Sequence, residues 1–203
     1  MYIGVISDTH GVWSEEFQEF LKDVDMVWHA GDWGADLEFA KKISSWKKVV
    51  GVYGNCDGSD LRFEYPAYQF FDCEGMSVLM THIGGYPGRY DLRAQALIER
   101  FHPQLFVCGH SHILKVQFDN HYNMLTINPG ACGLQGWQVV RTALRFKIEN
   151  GKISDMEVFE VNRGSLWLNK ELCGTALLAE MKVPSGWDNV LPARNGTLWW
   201  RLL

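Results

Sequence analysis

The sequence contains no C-x-x-C pair, and its cysteines are odd in number: Cys56, Cys73, Cys108, Cys132 and Cys173. That excludes a disulfide framework or thiolate zinc site as the organising principle and points to a reducing compartment, the cytoplasm. There is no excess of positive charge either. Nineteen Lys and Arg face 24 Asp and Glu, for a formal net charge of -5. Broad electrostatic binding to nucleic acid or anionic lipid needs basic faces, so both are disfavoured. An anionic phosphate substrate is not, because bound metal ions can supply local positive charge. No apolar run approaches the ~18 residues of a membrane helix. The N-terminus, MYIGVISDTHG, enters a strand-like segment directly, without the basic region and apolar core of a signal peptide. The glycine-containing first turn lacks G-x-G-x-x-G, so it is no dinucleotide fingerprint. What remains is an ordinary globular mixture, 203 residues that are 47% apolar, enough for one sizeable core and short for two.

Up to about residue 110, short apolar runs alternate with amphipathic stretches. Residues 2–7 (YIGVIS), 25–29 (DMVWH) and 48–53 (KVVGVY) read as strands. Between them, residues 14–21 (SEEFQEFL) and 36–43 (DLEFAKKI) read as helices, the first with Ser14 as N-cap and Phe17, Phe20 and Leu21 on one face. Residues 68–71 and 77–81 pair around Glu74 and Gly75, residues 91–101 form a helix stopped by Pro103, and 105–108 form a strand. The pattern then changes to consecutive strands at 115–119, 124–127, 138–147 and 153–161, with turns at Asn120-His121 and Asn150-Gly151. Alternation followed by a meander predicts two packed sheets with helices outside. Residues 1–161 form the predicted domain. The tail, 162–203, holds Trp167, Trp187, Trp199 and Trp200 with little periodicity. It reads either as added strands at 165–168 and 196–203 or as a non-native extension read from a shifted frame.

The chemistry sits just after the predicted strands, beside glycines. Strand one runs into Asp8 and His10, strand two into Gly31-Asp32, strand three into Gly54-Asn55, a later strand into His82, and the strand after the long helix into Gly109-His110-Ser111-His112. The C-terminal ends of parallel strands lie along one edge, where ligands bind. Asp8 and His10, like His110 and His112, are two apart, and on extended backbone such pairs point to one side. Carboxylate, imidazole and amide oxygen suit borderline ions: Mn²⁺ first, with Ni²⁺, Fe²⁺, Zn²⁺ or Co²⁺ as alternatives. Seven ligands exceed one tetrahedral ion, whereas two ions about 3.5–4 Å apart would use them all.

The ordered set D-x-H, GD, GN, H, GHxH resembles the signature of the calcineurin-like metallophosphoesterases. With GNCD at 54–57 and NPG at 128–130, it is similar to their small bacterial and archaeal phosphodiesterase branch. The resemblance spans roughly residues 1–161. It implies an α/β fold, a four-layer αββα double β-sandwich with a binuclear metal site at strand C-terminal ends. It implies Asp8, His10, Asp32 and His112 around one ion and Asp32, Asn55, His82 and His110 around the other. The implied activity is hydrolysis of phosphate esters, diesters foremost, by direct attack of a metal-bridging hydroxide, with Asp8, His10, Asp32, Asn55 and His82 as the catalytic set. A phosphomonoesterase, or a non-catalytic scaffold on the same fold like a eukaryotic retromer subunit, is the alternative. The expected partner is a small phosphate ester, with nucleic acid only as a small nucleotide substrate, no membrane, and self-association left open.

One departure has a consequence. Larger relatives often carry histidine directly after the motif asparagine, where it can protonate the leaving group; here that residue is Cys56. A neutral thiol is a poor acid, so esters with good leaving groups should turn over best. His102 and His121 match no motif and read as ordinary surface or core residues, and His29 reads as such or as support behind the site. Asp57 reads as a loop residue or a support for a metal ligand, and Cys73, Cys108 and Cys132 as small buried apolar groups. Substrate choice would lie in rim loops at 57–66 and 83–90, where Gly84, Gly85 and Gly88 suggest flexibility.

Overall fold

The computed structural model describes residues 1–164 except residue 35. Two five-stranded sheets pack face to face. In the first, Tyr2–Ile6 (β1), Met26–His29 (β2) and Lys48–Gly51 (β3) run parallel, linked through helices Glu15–Phe20 (α1) and Leu37–Trp46 (α2). The helix Ser59–Glu64 (α3) leads into the second sheet. There Tyr68–Cys73 (β4) and Met76–Thr81 (β5) form a hairpin, followed by a two-residue pair, Gly85–Tyr86 (β6) and Arg89–Tyr90 (β7). Helix Leu92–Phe101 (α4) precedes Leu105–Val107 (β8), which is parallel to β5. Leu114–Asp119 (β9) and Met124–Pro129 (β10) complete this sheet, and Val140–Glu149 (β11) and Lys152–Asn162 (β12) return to the first. The strand orders are β12-β11-β1-β2-β3 and β4-β5-β8-β10-β9.

Period-2 alternation builds the layers. Ile3 and Val5 of β1 and Met26 and Trp28 of β2 point inward, against Val78, Met80, Leu105, Val107, Leu125 and Ile127 of the other sheet. Their opposite-face neighbours, Ile6 and Val27, pack outward on Phe17, Leu21, Ala40 and Ile43. On the far side, Leu79 and Phe106 meet Ala94 and Ile98 of α4. The result is the expected αββα sandwich. Each buried aliphatic side chain stabilises by about 1.5–3 kcal/mol, so a one-residue slip, which exchanges the two faces, is strongly disfavoured.

The departures are local. The final four strands do not form one meander: β9 and β10 extend the second sheet, while β11 pairs antiparallel with β1. The turn after β9 takes residues 120–123, with Asn123 left-handed. Ser14 occupies the N-cap position of α1 but makes no capping bond; its hydroxyl accepts from the Arg141 guanidinium at 3.1 Å. Helix α3 falls where a loop was expected, and the 83–90 rim is a tight hairpin, in which a side chain on Gly85 would overlap the Arg89 carbonyl. Helix α4 ends at His102 in the left-handed region, just before Pro103. Cys73, Cys108 and Cys132 are buried free thiols and Cys56 is exposed. Among the described residues no helix is long and apolar enough to cross a membrane. The tail readings from residue 165 onward, and Cys173, lie outside the described residues.

Candidate metal centre

The C-terminal ends of β1, β2 and β3 from one sheet and of β5 and β8 from the other open onto the same place. Asp8 Oδ1 lies 3.1 Å from His112 Nε2, and the His10 and His112 Nε2 atoms are 3.3 Å apart. Asp32 Oδ2 lies 3.3 Å from His82 Nε2 and 3.9 Å from His10 Nε2. Asn55 Oδ1 is 3.0 Å from His82 Nε2. Three overlapping groups have donor atoms close enough together to hold an ion: Asp8–His10–His112, Asp8–Asp32–His82 and His10–Asp32–Cys56. His110 is the outlier. Its ring packs edge-on against His82, 5.3 Å between centroids, and its backbone N–H donates to Asp8 Oδ2.

The backbone reaches this arrangement differently from the expectation of extended i, i+2 pairs. Asp8, His10, Asp32, His110 and His112 all have positive φ, between 45° and 68°. The pairs meet a common centre because each chain segment turns back through left-handed residues. Asp and His tolerate that region better than most residues, but the strain persists only where surroundings enforce it.

Those surroundings are hydrogen bonds. Asp8 N–H donates to Gly31 O, His10 N–H to Asp32 O, and Gly109 N–H to His82 O. Asn128 Nδ2 donates to Gly109 O and Ser111 Oγ, bracing the GHSH turn, which gives the NPG segment its role. Asp57 accepts from Trp33, Gly34 and Gly54 N–H groups, tying the Asp32 loop to the Asn55 loop. His29 is wholly buried and stacked on Trp33 at 3.7 Å. Its Nδ1 accepts from Gly31 N–H, so Nε2 donates to Thr9 Oγ1, whose hydroxyl donates to Trp33 O. Burial holds this ring well below the ordinary histidine pKa. His29 and Asp57 thus support the centre from behind. Sequence reading missed Thr9 and also Arg62 of α3, whose guanidinium donates to the Asp57, Gly54 and Asn55 carbonyls. No motif marks either.

The polar atoms facing inward are acceptors facing acceptors. His82 Nδ1 is 2.8 Å from Ala30 O and His112 Nδ1 is 3.0 Å from Gln135 O, so both Nδ1 atoms carry protons. In the neutral rings each Nε2 therefore presents a lone pair, toward Asp32 and Asn55 in one case and Asp8 and His10 in the other. Asp8 Oδ1 is buried with no hydrogen bond, for the nearby His112 nitrogen does not meet it in bonding geometry. Such convergence asks for a cation or a proton. Protons answer in the metal-free protein. For His82, burial opposes the charge, but the Asp32 hydrogen bond and Asp8 charge outweigh it and raise the pKa. For His112 the Asp8 contact raises it against burial. Burial lowers that of His10, more than Asp32 and Asp8 restore. Burial also works against the Asp32 carboxylate, yet His82 and the Cys56 N–H hold it below the usual range. Burial and Asp32 push the Cys56 thiol up to about 11.

Residues 1–151 match the family model of the calcineurin-like phosphoesterase superfamily domain. An archaeal phosphodiesterase has a similar structure, at 22% identity and a TM-score of 0.59, over 80% of this chain and 99% of its own. Vps29 from Entamoeba histolytica, in complex with Zn²⁺, has 17% identity and a TM-score of 0.61 over 80% and 92% of the two chains. A conserved protein from Streptococcus pneumoniae, described as a predicted phosphoesterase, has 21% identity and a TM-score of 0.58 over 80% and 89%. At these identities the likeness concerns the fold. The sequence matches no curated protein.

Proposed function

Because the chain belongs to the calcineurin-like phosphoesterase superfamily, and because its strand ends bring carboxylate, imidazole and amide acceptors to one point, we propose that it is a binuclear metal-dependent phosphodiesterase. The observation that carries this reading is the buried Asp8 Oδ1 without a hydrogen bond, 3.1 Å from the Nε2 of His112, whose Nδ1 proton is taken by Gln135 O on the other side of the ring. Asp8, His10, Asp32 and His112 would hold one ion and Asp32, Asn55, His82 and His110 the other. Mn²⁺ is the first choice and Ni²⁺, Fe²⁺, Zn²⁺ or Co²⁺ the alternatives. When bound, the ions supply a water acidic enough to ionise near neutral pH and polarise the phosphoryl oxygens.

The chain's own residues orient and balance the charge of this centre. Asp8 and Asp32 bring two negative charges, which leaves a loaded site cationic and attractive to a phosphate ester. Ala30 O and Gln135 O fix the His82 and His112 rings with Nε2 inward. Cys56, which takes the position of the leaving-group acid in larger relatives, has a thiol too weak to donate its proton readily. The similarity to a phosphodiesterase fold supports the diester over the monoester reading. A cytoplasmic location remains our reading of the cysteine pattern. The scaffold alternative draws support from the Vps29 likeness, while the complete ligand set favours catalysis.

The test is elemental analysis of the purified chain, then hydrolysis of bis(4-nitrophenyl) phosphate, 4-nitrophenyl phosphate and an alkyl diester with each divalent ion. Metal-dependent diester cleavage, fastest for the aryl ester and abolished by Asp32→Asn, is the expected result. A metal-loaded sample that cleaves none of them would move the assignment to the scaffold. Equal rates on alkyl and aryl diesters, with chemistry rate-limiting, would remove the inference about Cys56.

A further inference from the structure

Trp137 is 99% exposed. Single exposed hydrophobic residues are common and need no explanation. This one differs because the chain on either side of it is fastened to the candidate centre. Gln135 O accepts the Nδ1 proton of His112. Gly136 lies against that same ring: its φ is +105°, and a Cβ there would overlap His112 Nδ1. Gln138 Nε2 donates to Ser111 O at 3.1 Å, and the Arg163 guanidinium donates to both Gly136 O and Gln138 O. Residues 135, 136 and 138 are held, and the indole between them is not covered.

Its anchor is the Nδ1 edge of the His112 ring, opposite the Nε2 that faces the centre. The close approach of Gly136 puts its Cα within about 4 Å of His112 Nδ1, and the next Cα along the chain is about 3.8 Å further. An indole at that point can lie over a group bound beside His112 Nε2. A loop already fixed in place loses little conformational freedom when its aromatic side chain captures a ligand, so contact there is efficient.

We propose that Trp137 is a specificity-determining residue that stacks on a planar aromatic ester group of the substrate, a nucleobase or an aryl ring, while the phosphate occupies the metal centre. This rests on the phosphoesterase reading and adds the substrate's second half to it. The formal net charge of -5 disfavours a polynucleotide, so the ligand proposed is a small ester, one ring and one phosphate.

Isothermal titration of the full-length, Mn²⁺-loaded chain with adenosine 5′-monophosphate, phenyl phosphate and inorganic phosphate tests this. The wild type should bind the adenosine ester more tightly than inorganic phosphate. Trp137→Ala should weaken the adenosine ester about 5- to 150-fold, the range for loss of one base–aromatic stack. Trp137→Phe should lose less, and inorganic phosphate should stay within about twofold. Loss for phenyl phosphate as well would mark the subsite as one for any flat ring, and loss for the adenosine ester alone as one for a base. Adenosine ester binding that ignores Trp137, or a parallel fall for inorganic phosphate, overturns the inference while leaving the phosphoesterase reading in place. No phosphate binding by the loaded wild type would overturn both.

Discussion

Replacing Asp57 by asparagine should uncouple the two loops that carry Asp32 and Asn55. The Asp57 side chain is buried, and its two oxygens divide the work. Oδ1 accepts from Trp33 N–H at 2.8 Å and Gly34 N–H at 3.3 Å, and Oδ2 accepts from Gly54 N–H at 2.7 Å. An asparagine of the same shape can keep its carbonyl oxygen at the Oδ1 position. Its NH₂ then faces the Gly54 N–H, donor against donor. One buried donor loses its partner, worth about 1–3 kcal/mol, and the remaining bonds lose the strength of a charged acceptor. A loss of about 2–4 kcal/mol follows, from a total stability of order 5–15 kcal/mol. Urea denaturation of the metal-free variant should show the midpoint fall at unchanged slope. Because Gly54 precedes Asn55 directly, metal affinity should also fall, by about the 10- to 100-fold seen for supporting residues behind metal ligands. A variant with an unchanged midpoint, or one that loses stability while binding Mn²⁺ as before, would refute the coupling.

Gly54→Ala should be more severe than its single methyl suggests, since its Cβ would overlap the Asp32 carboxylate; Mn²⁺ binding measured by calorimetry should be lost even if a fraction of the protein folds. Adding Mn²⁺ at about 1,000 times its dissociation constant should stabilise the chain by about 4 kcal/mol, or roughly 8–16 °C in melting temperature, reversed by a chelator. The sign of the pH effect follows from His82 and His112, whose folded pKa values lie above 6.5. Their protonated forms stabilise the metal-free fold fully below pH 6.5, and that contribution is lost as pH rises through the folded values. A cation must displace those protons, so Mn²⁺ affinity should climb with pH over this window, with proton release visible as buffer-dependent binding heat. Affinity that is flat with pH would count against the inward-facing Nε2 atoms.

The layers were legible because alternation alone decides which side of a strand is buried. Ile3 and Val5 against Ile6, or Met26 and Trp28 against Val27, declare two cores before any topology is known. Pairing partners were less so. Nothing local in residues 140–149 says that they lie beside β1, because that contact spans about 140 residues of chain and depends on which sheet edge is vacant. The candidate site residues were legible as polar groups placed just after strands. The route by which they converge was not, since left-handed φ at Asp8, His10, Asp32, His110 and His112 depends on bonds such as Asp8 N–H to Gly31 O that no motif spells out. Helix α3 is short and held by Arg62 reaching back to three carbonyls, a tertiary contact rather than a propensity.

The centre belongs to neither sheet. Asp8, His10, Asp32 and Asn55 arise from the ends of β1, β2 and β3, and His82, His110 and His112 from the ends of β5 and β8. Hydrogen bonds that cross the gap at the centre are specific: His82 Nδ1 to Ala30 O and His110 N–H to Asp8 Oδ2. The apolar interface beneath them is broad and non-directional, so it fixes the spacing of the sheets better than their slide. Those polar bonds therefore set the alignment of the two donor sets. A cation that draws ligands from both sheets adds a further, directional bond at the same place. Gly109 shows how little slide the arrangement permits, because a side chain there would overlap the Ser7 hydroxyl and crowd Asp8 Oδ2. Substitutions at this junction should therefore disturb metal binding before they disturb folding, whereas substitutions among Val78, Leu105 and Ile127 in the core should do the reverse.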